Sequence, residues 1–128
     1  MPRRPFSRAR NLKAVIIHGP NARLRGKPVA VGGSSDAHHL ITPSKEGPVT
    51  AIRQALAAAG AAPEEIATWD LHATATPGDF QEVENLRDVV PGQVLVSARK
   101  GTFGHGMGAS GGWELTAQYL GYERGHLF

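Results

Sequence analysis

Trp69-Asp70-Leu71-His72-Ala73-Thr74-Ala75-Thr76-Pro77-Gly78-Asp79 and, further along, Ser97-Ala98-Arg99-Lys100-Gly101-Thr102-Phe103-Gly104-His105-Gly106-Met107-Gly108-Ala109-Ser110-Gly111-Gly112-Trp113-Glu114 decide how this chain folds. Each motif closes a short apolar run. Ala67 to His72 is the first run and Gln93-Val94-Leu95-Val96-Ser97 the second, and both read as strands. Two strand ends would then carry His72, Lys100 and His105 to one edge of a sheet, the place where α/β folds build their sites.

Between the two strands the spacing predicts a helix. Asp79 is an N-cap candidate with Glu82 three residues on, a capping box with Asp in the usual Ser/Thr place. Phe80, Val83, Leu86 and Val90 follow at helical intervals until Pro91-Gly92 breaks the pattern. The near-continuous run 93–97 has the pattern of a parallel strand covered on both faces.

Working further out, Ser44 can cap a helix with Gly47-Pro48 in its first turns and Val49, Ile52, Ala55, Leu56 and Ala59 on one face. Gly60 ends it. Lys13–His18 reads as a β-branched strand stopped by Gly19-Pro20-Asn21. Lys27–Gly32 reads as a second strand, turned by Gly33-Ser34-Ser35-Asp36, and residues 34–44 have loop chemistry. Downstream, a glycine-rich loop over 101–112 leads into a last helix, Trp113–Tyr122, whose start can lie several residues earlier. Gly125 sits in its C-cap region. The order β-β-α-β-α-β-α predicts an α/β fold, with a mostly parallel β-sheet and helices on both faces.

The bulk numbers narrow the function. The 128 residues suffice for one domain with a real core, and 41% hydrophobic with 20% charged residues is ordinary for a globular chain. There are no cysteines, which excludes disulfides, thiolate metal sites and a cysteine nucleophile within this chain. No apolar run approaches the roughly 20 residues that span a bilayer. The basic start Met1-Pro2-Arg3-Arg4-Pro5-Phe6 has no apolar signal core behind it, so a cytoplasmic location is expected. The net charge of +3 is concentrated in Arg3, Arg4, Arg8, Arg10, Lys13, Arg23, Arg25 and Lys27. It favours acidic partners weakly, but without interleaved aromatics or a known module it does not indicate nucleic acid.

The motifs carry chemistry. A histidine at a strand end can move a proton near neutral pH or donate a hydrogen bond to a developing oxyanion. Thr74 and Thr76 alternate along an extended segment, so both hydroxyls can face an amide-bearing ligand arm. The plain alternative is a strand-end histidine bonded to backbone, with two turn-capping threonines. His105 lies between glycines that let the backbone approach a ligand closely; the alternative is an exposed histidine in a turn. Lys100, at the end of a buried strand, needs a carboxylate or it will neutralise, and Glu114 in the next helix is the candidate. The alternative is an exposed surface pair. The six histidines (His18, His38, His39, His72, His105, His126) show no metal-ligand spacing. No Gly-Lys-Ser/Thr follows Gly101–Gly108, so a phosphate loop is not indicated.

Taken jointly, His72-x-Thr74-x-Thr76, Lys100, Gly104-His105, Gly108-Ala109-x-Gly111 and Glu114 resemble the β-ketoacyl-acyl-carrier-protein synthases of the thiolase-like superfamily. Ser34-Ser35-Asp36-Ala37-His38-His39, Pro43, Glu46-Gly47 and the helix Ala51-Ile52-Arg53-Gln54-Ala55-Leu56 fit the same pattern. The resemblance covers 29–128 as part of a C-terminal thiolase-like half and leaves 1–28 as a poorly matched basic segment. Such enzymes condense an acyl thioester with malonyl-carrier protein by decarboxylative Claisen chemistry, in fatty-acid or polyketide synthesis. The resemblance implies that His72 and His105 assist decarboxylation and hold the enolate oxygen. It makes Lys100 and Glu114 the paired site residues, and Thr74 and Thr76 contacts for the phosphopantetheine arm. It implies no metal and no cofactor beyond that arm. Acyl carrier protein is the implied partner, together with a Cys-bearing ketosynthase half or a homo-oligomer. Family members are roughly three times this length and keep their acyl-accepting cysteine in the other half. This chain is therefore expected to be a fragment, a complementing subunit, or a non-catalytic binder, and inactive alone. Pro77-Gly78-Asp79 is one residue shorter than the family motif.

Overall fold

A computed structural model describes residues 10–17, 27–35 and 44–126. The basic stretch 1–9, the Gly19-Pro20-Asn21 stop, His18, and the Asp36–His39 and Thr42-Pro43 parts of the expected loop lie outside them. The described elements follow the expected order. Strand β1 (Arg10–Ile17) pairs antiparallel with β2 (Lys27–Ser35). Helix α1 (Glu46–Ala59) follows, then β3 (Thr68–Asp70), helix α2 (Gly78–Val89) and β4 (Leu95–Ser97), which lies parallel to β3. A one-turn helix α3 (Lys100–Phe103) precedes α4 (Ser110–Arg124). The protein is thus α/β, with a parallel β3–α2–β4 unit and a separate antiparallel hairpin.

β2 runs three residues beyond its expected end at Gly32, because Arg10, Asn11 and Leu12 continue the ladder opposite Ser35, Ser34 and Gly33. Its period of two is clear: Val29 and Val31 are exposed while Gly32 is buried. Gly32 is there for space. A Cβ on it would lie 1.8 Å from the Ala51 carbonyl oxygen, and Ala51 and Ala55 of α1 are fully buried against it. Only a glycine on the strand and alanines on the helix allow an approach this close. The Ser34 hydroxyl adds a bond to the Gly47 carbonyl (2.6 Å).

α1 begins one residue later than expected, yet the Ser44 hydroxyl still accepts the Gly47 N–H (3.1 Å) and satisfies a first-turn donor. Gly60 closes the helix in the left-handed region (φ 64°), its N–H and that of Ala61 returning to the Ala57 and Leu56 carbonyls. The other face of α1 builds the core. Val49, Ile52 and Leu56 pack with Leu86, Val89 and Val90 from α2 and its end, and Ala61, Ile66, Trp69 and Val94 close over them. α2 is therefore clamped to α1, which fixes the crossover between the two parallel strands. Leu95 and Val96 of β4 are 62% and 48% exposed, so their faces are not covered within the described residues.

Candidate active site

Both parallel strands end at the same level, and their pairing sets the site. The Leu71 N–H donates to the Ser97 carbonyl (2.8 Å), one step past the register pair Asp70–Ser97. Beyond it the chain leaves the sheet as a loop held by carboxylates. Glu82 accepts the N–H groups of His72 (2.7 Å) and Ala73 (3.1 Å), and Asp79 accepts those of Thr74 (3.0 Å) and Ala75 (2.9 Å). This corrects the expected capping box. α2 starts at Gly78, one residue before Asp79, and both acidic side chains turn back onto the preceding loop instead of capping their own helix. The reason is that four successive loop amides there have no strand partner, and a carboxylate is the strongest acceptor for them. Ala73 (φ 36°) and Ala75 (φ 58°) are held in the left-handed region, where a side chain is strained. The Thr74 and Thr76 hydroxyls meet at 3.1 Å.

His105 arrives from the second strand after α3. The Met107 N–H donates to its Nδ1 (3.0 Å), and the Ser110 hydroxyl lies at 3.5 Å from the same nitrogen. With Nδ1 accepting, the neutral ring carries its proton on Nε2, which is then its N–H donor. The two imidazoles meet edge to face, with ring centroids 5.1 Å apart and planes at 82°. Both residues are exposed.

Lys100 does not end the strand; β4 stops at Ser97, and Lys100 opens α3 instead. Its ammonium is ion-paired with Glu114 of α4, and the two side chains are only 5% and 17% exposed. The lysine therefore has the carboxylate that a buried cation needs. α4 begins at Ser110, at the earlier of the two starts that the sequence allows, after a 3-10 turn over Met107–Ala109.

A second buried pair was not visible as a motif. Arg99 is 2% exposed, with Nη1 at 2.5 Å from Asp70 Oδ2 and Nη2 donating to Gln118 Oε1 (2.8 Å). The Ser97 hydroxyl donates to the other Asp70 oxygen (3.0 Å). Gln118 passes the network on through Nε2 to the Thr68 hydroxyl (2.8 Å) and the Tyr122 hydroxyl (2.9 Å). Burial raises the Asp70 carboxyl above its usual 3.8, against the opposing pull of Arg99 and Ser97. Asp70 and Arg99 precede Leu71-His72 and Lys100, so this network lies directly under both site loops. The sequence signal was an Asp and an Arg at the ends of two apolar runs, legible only with the strand register in hand.

Trp113 and Phe103 meet edge to face at 6.2 Å, and Phe80 and Met107 are 79% and 80% exposed. Among the described residues no three metal-ligating side chains gather in one place, and no helix is long and apolar enough to cross a membrane.

The His72 and His105 rings are thus in edge-to-face contact, and Lys100 and Glu114 form a buried ion pair in the same C-terminal part of the chain. The family "Beta-ketoacyl synthase, C-terminal domain" matches residues 24–127, and this chain belongs to it. The chain is 36% identical to 3-oxoacyl-[acyl-carrier-protein] synthase 2 of Vibrio cholerae over 100 residues, which cover 73% of the chain and 24% of that relative. It is 33% identical to the chloroplastic 3-oxoacyl-[acyl-carrier-protein] synthase I of Arabidopsis thaliana over 117 residues, 84% of the chain and 25% of the relative. To the nodulation protein E of Rhizobium sp. it is 30% identical over 121 residues, 88% of the chain and 30% of the relative. The chain spans about a quarter of the length of these curated relatives.

Proposed function

We propose that this chain supplies the decarboxylating and oxyanion-holding side of a β-ketoacyl-acyl-carrier-protein synthase. The observation that carries this reading is the His72–His105 ring pair, at 5.1 Å, with Nδ1 of His105 taken by the Met107 N–H so that Nε2 is the ring's donor. In the reaction the bond between the malonyl carboxylate and its α-carbon breaks and carbon dioxide leaves. The electron pair stays on the substrate as an enolate whose charge sits on the thioester oxygen. Imidazole N–H donors fixed where that charge develops stabilise it with little reorganisation, and such placement is a large catalytic term. The enolate carbon then attacks the acyl thioester carbonyl and expels the cysteine thiolate.

Lys100, neutralised by Glu114, keeps a fixed charge pair at the start of α3 without placing a free cation there. Thr74 and Thr76 are the contacts for the phosphopantetheine arm, and acyl carrier protein is the partner that delivers it. No metal or further cofactor enters these steps. The chain has no cysteine, so the nucleophile comes from another polypeptide segment, and the isolated chain does not condense. The same fact favours a second reading, a complementing or non-catalytic subunit that binds carrier protein or a Cys-bearing partner. Malonyl-carrier-protein decarboxylation, followed with and without a Cys-bearing ketosynthase half, tests both. Decarboxylation that drops at least about 100-fold in His72→Ala and in His105→Ala supports the first reading. Unchanged turnover in both variants removes the site assignment, and carrier binding with no turnover in any mixture leaves the second.

A further inference from the structure

Gly106 follows His105 and has an ordinary backbone conformation (φ −83°, ψ 21°) that any residue adopts. Its lack of a side chain is therefore required by space. A Cβ at this position would lie 2.4, 2.6 and 2.9 Å from the Cζ3, Cη2 and Cε3 atoms of the Trp113 indole. The backbone at 106 thus packs directly against that ring. Trp113 stands in the first turn of α4, beside Glu114, and its ring meets Phe103 edge to face. It is 46% exposed, more than a core residue would be, so burial of its surface does not account for its place. On the other side of the contact Met107 is held at φ 50°, the conformation from which its N–H reaches His105 Nδ1.

We infer that Trp113 is the positioning residue for His105, a plate on which Gly106 rests so that the imidazole is aimed at His72. Size complementarity holds this loop, whereas carboxylates hold the His72 loop. The first turn of α4 then sets both the Lys100 ammonium, through Glu114, and the His105 ring, through Trp113. The consequence for catalysis rests on the function proposed above, but the placement can be read without turnover.

The test is histidine-ring NMR on the full chain, with the nuclear Overhauser contact between the His72 and His105 rings as the main readout. Gly106→Ala is expected to abolish that contact and to shift the His105 ring signals, while the β3 and β4 amide signals stay in place. Gly106→Ala combined with Trp113→Ala is expected to regain the contact only to the weakened level of Trp113→Ala alone. Trp113→Ala alone should weaken it, and Trp113→Phe should keep it. Wild-type ring contact and ring signals in Gly106→Ala, or in Trp113→Ala, overturn the inference. If Gly106→Ala does not fold, Trp113→Ala and Trp113→Phe decide, and identical behaviour of those two overturns it. Failure of the functional reading looks different: His105→Ala would then decarboxylate normally while the Gly106 and Trp113 variants still moved the ring.

Discussion

α1 and α4 are of similar length and hold the molecule together in opposite ways. α1 packs by size and apolar surface: Ala51 and Ala55 against Gly32 on one side, and Ile52 and Leu56 in the core on the other. The buried residues of α4 are Ser110, Gln118 and Gly121, and apart from the Trp113 contacts with Gly106 and Phe103 its attachments are polar: Glu114 to Lys100, Gln118 to Arg99 and Thr68, and Tyr122 to Thr68. The scaffold side is non-directional and tolerant, since apolar packing rewards area. The site side is directional, because each hydrogen bond fixes an angle as well as a distance. A helix that must aim side chains at a reacting group gains from the second kind of packing, even though buried charge is a poor source of stability.

The strongest test of this contrast is Arg99→Met. It leaves Asp70 buried without its cation and is expected to cost about 3–5 kcal/mol in urea denaturation. Arg99→Met with Asp70→Leu should recover most of the loss; if it does not, the pair is needed for folding and not only for direction. On the apolar side, Leu56→Ala is expected to cost roughly 2–5 kcal/mol by the same measurement, while the His72–His105 ring contact is kept. Loss of that contact in Leu56→Ala would erase the distinction between the two helices.

The smallest effect is in pH. Burial puts the folded-state pKa of Asp70 above 3.8, so between that value and the raised one the folded chain binds more protons than the unfolded chain. Stability contributed by this group therefore falls as pH rises through that window and is level above it. The stability of the wild type relative to Asp70→Asn should decline with rising pH from about 4 upward. An increase would show that Arg99 outweighs burial.

The periodic elements were legible in the sequence because their signals are local. Val49, Ile52 and Leu56 mark α1, Gly60 its end, and the 93–97 run the second parallel strand. The pairing of Lys100 with Glu114 was legible because a buried lysine has few ways to persist. What the chain does with Asp79 and Glu82 was not, since a capping box and a clamp on the preceding loop use the same residues at the same spacing. The Asp70–Arg99 pair depends on strand register, and the Gly106–Trp113 contact depends on how a glycine-rich loop folds back on a helix. Neither has a periodic trace.

Ala73 and Ala75 sit in a region of backbone space where glycine would be at ease, and four carboxylate-bound amides keep them there. For anyone engineering this domain, glycine at either position is an obvious stabiliser, relieving strain of about 1 kcal/mol or more. It is also the change to avoid. A loop at rest has many resting places, whereas a loop under tension between fixed anchors has one. The sturdier variant is expected to carry His72 on a slack line.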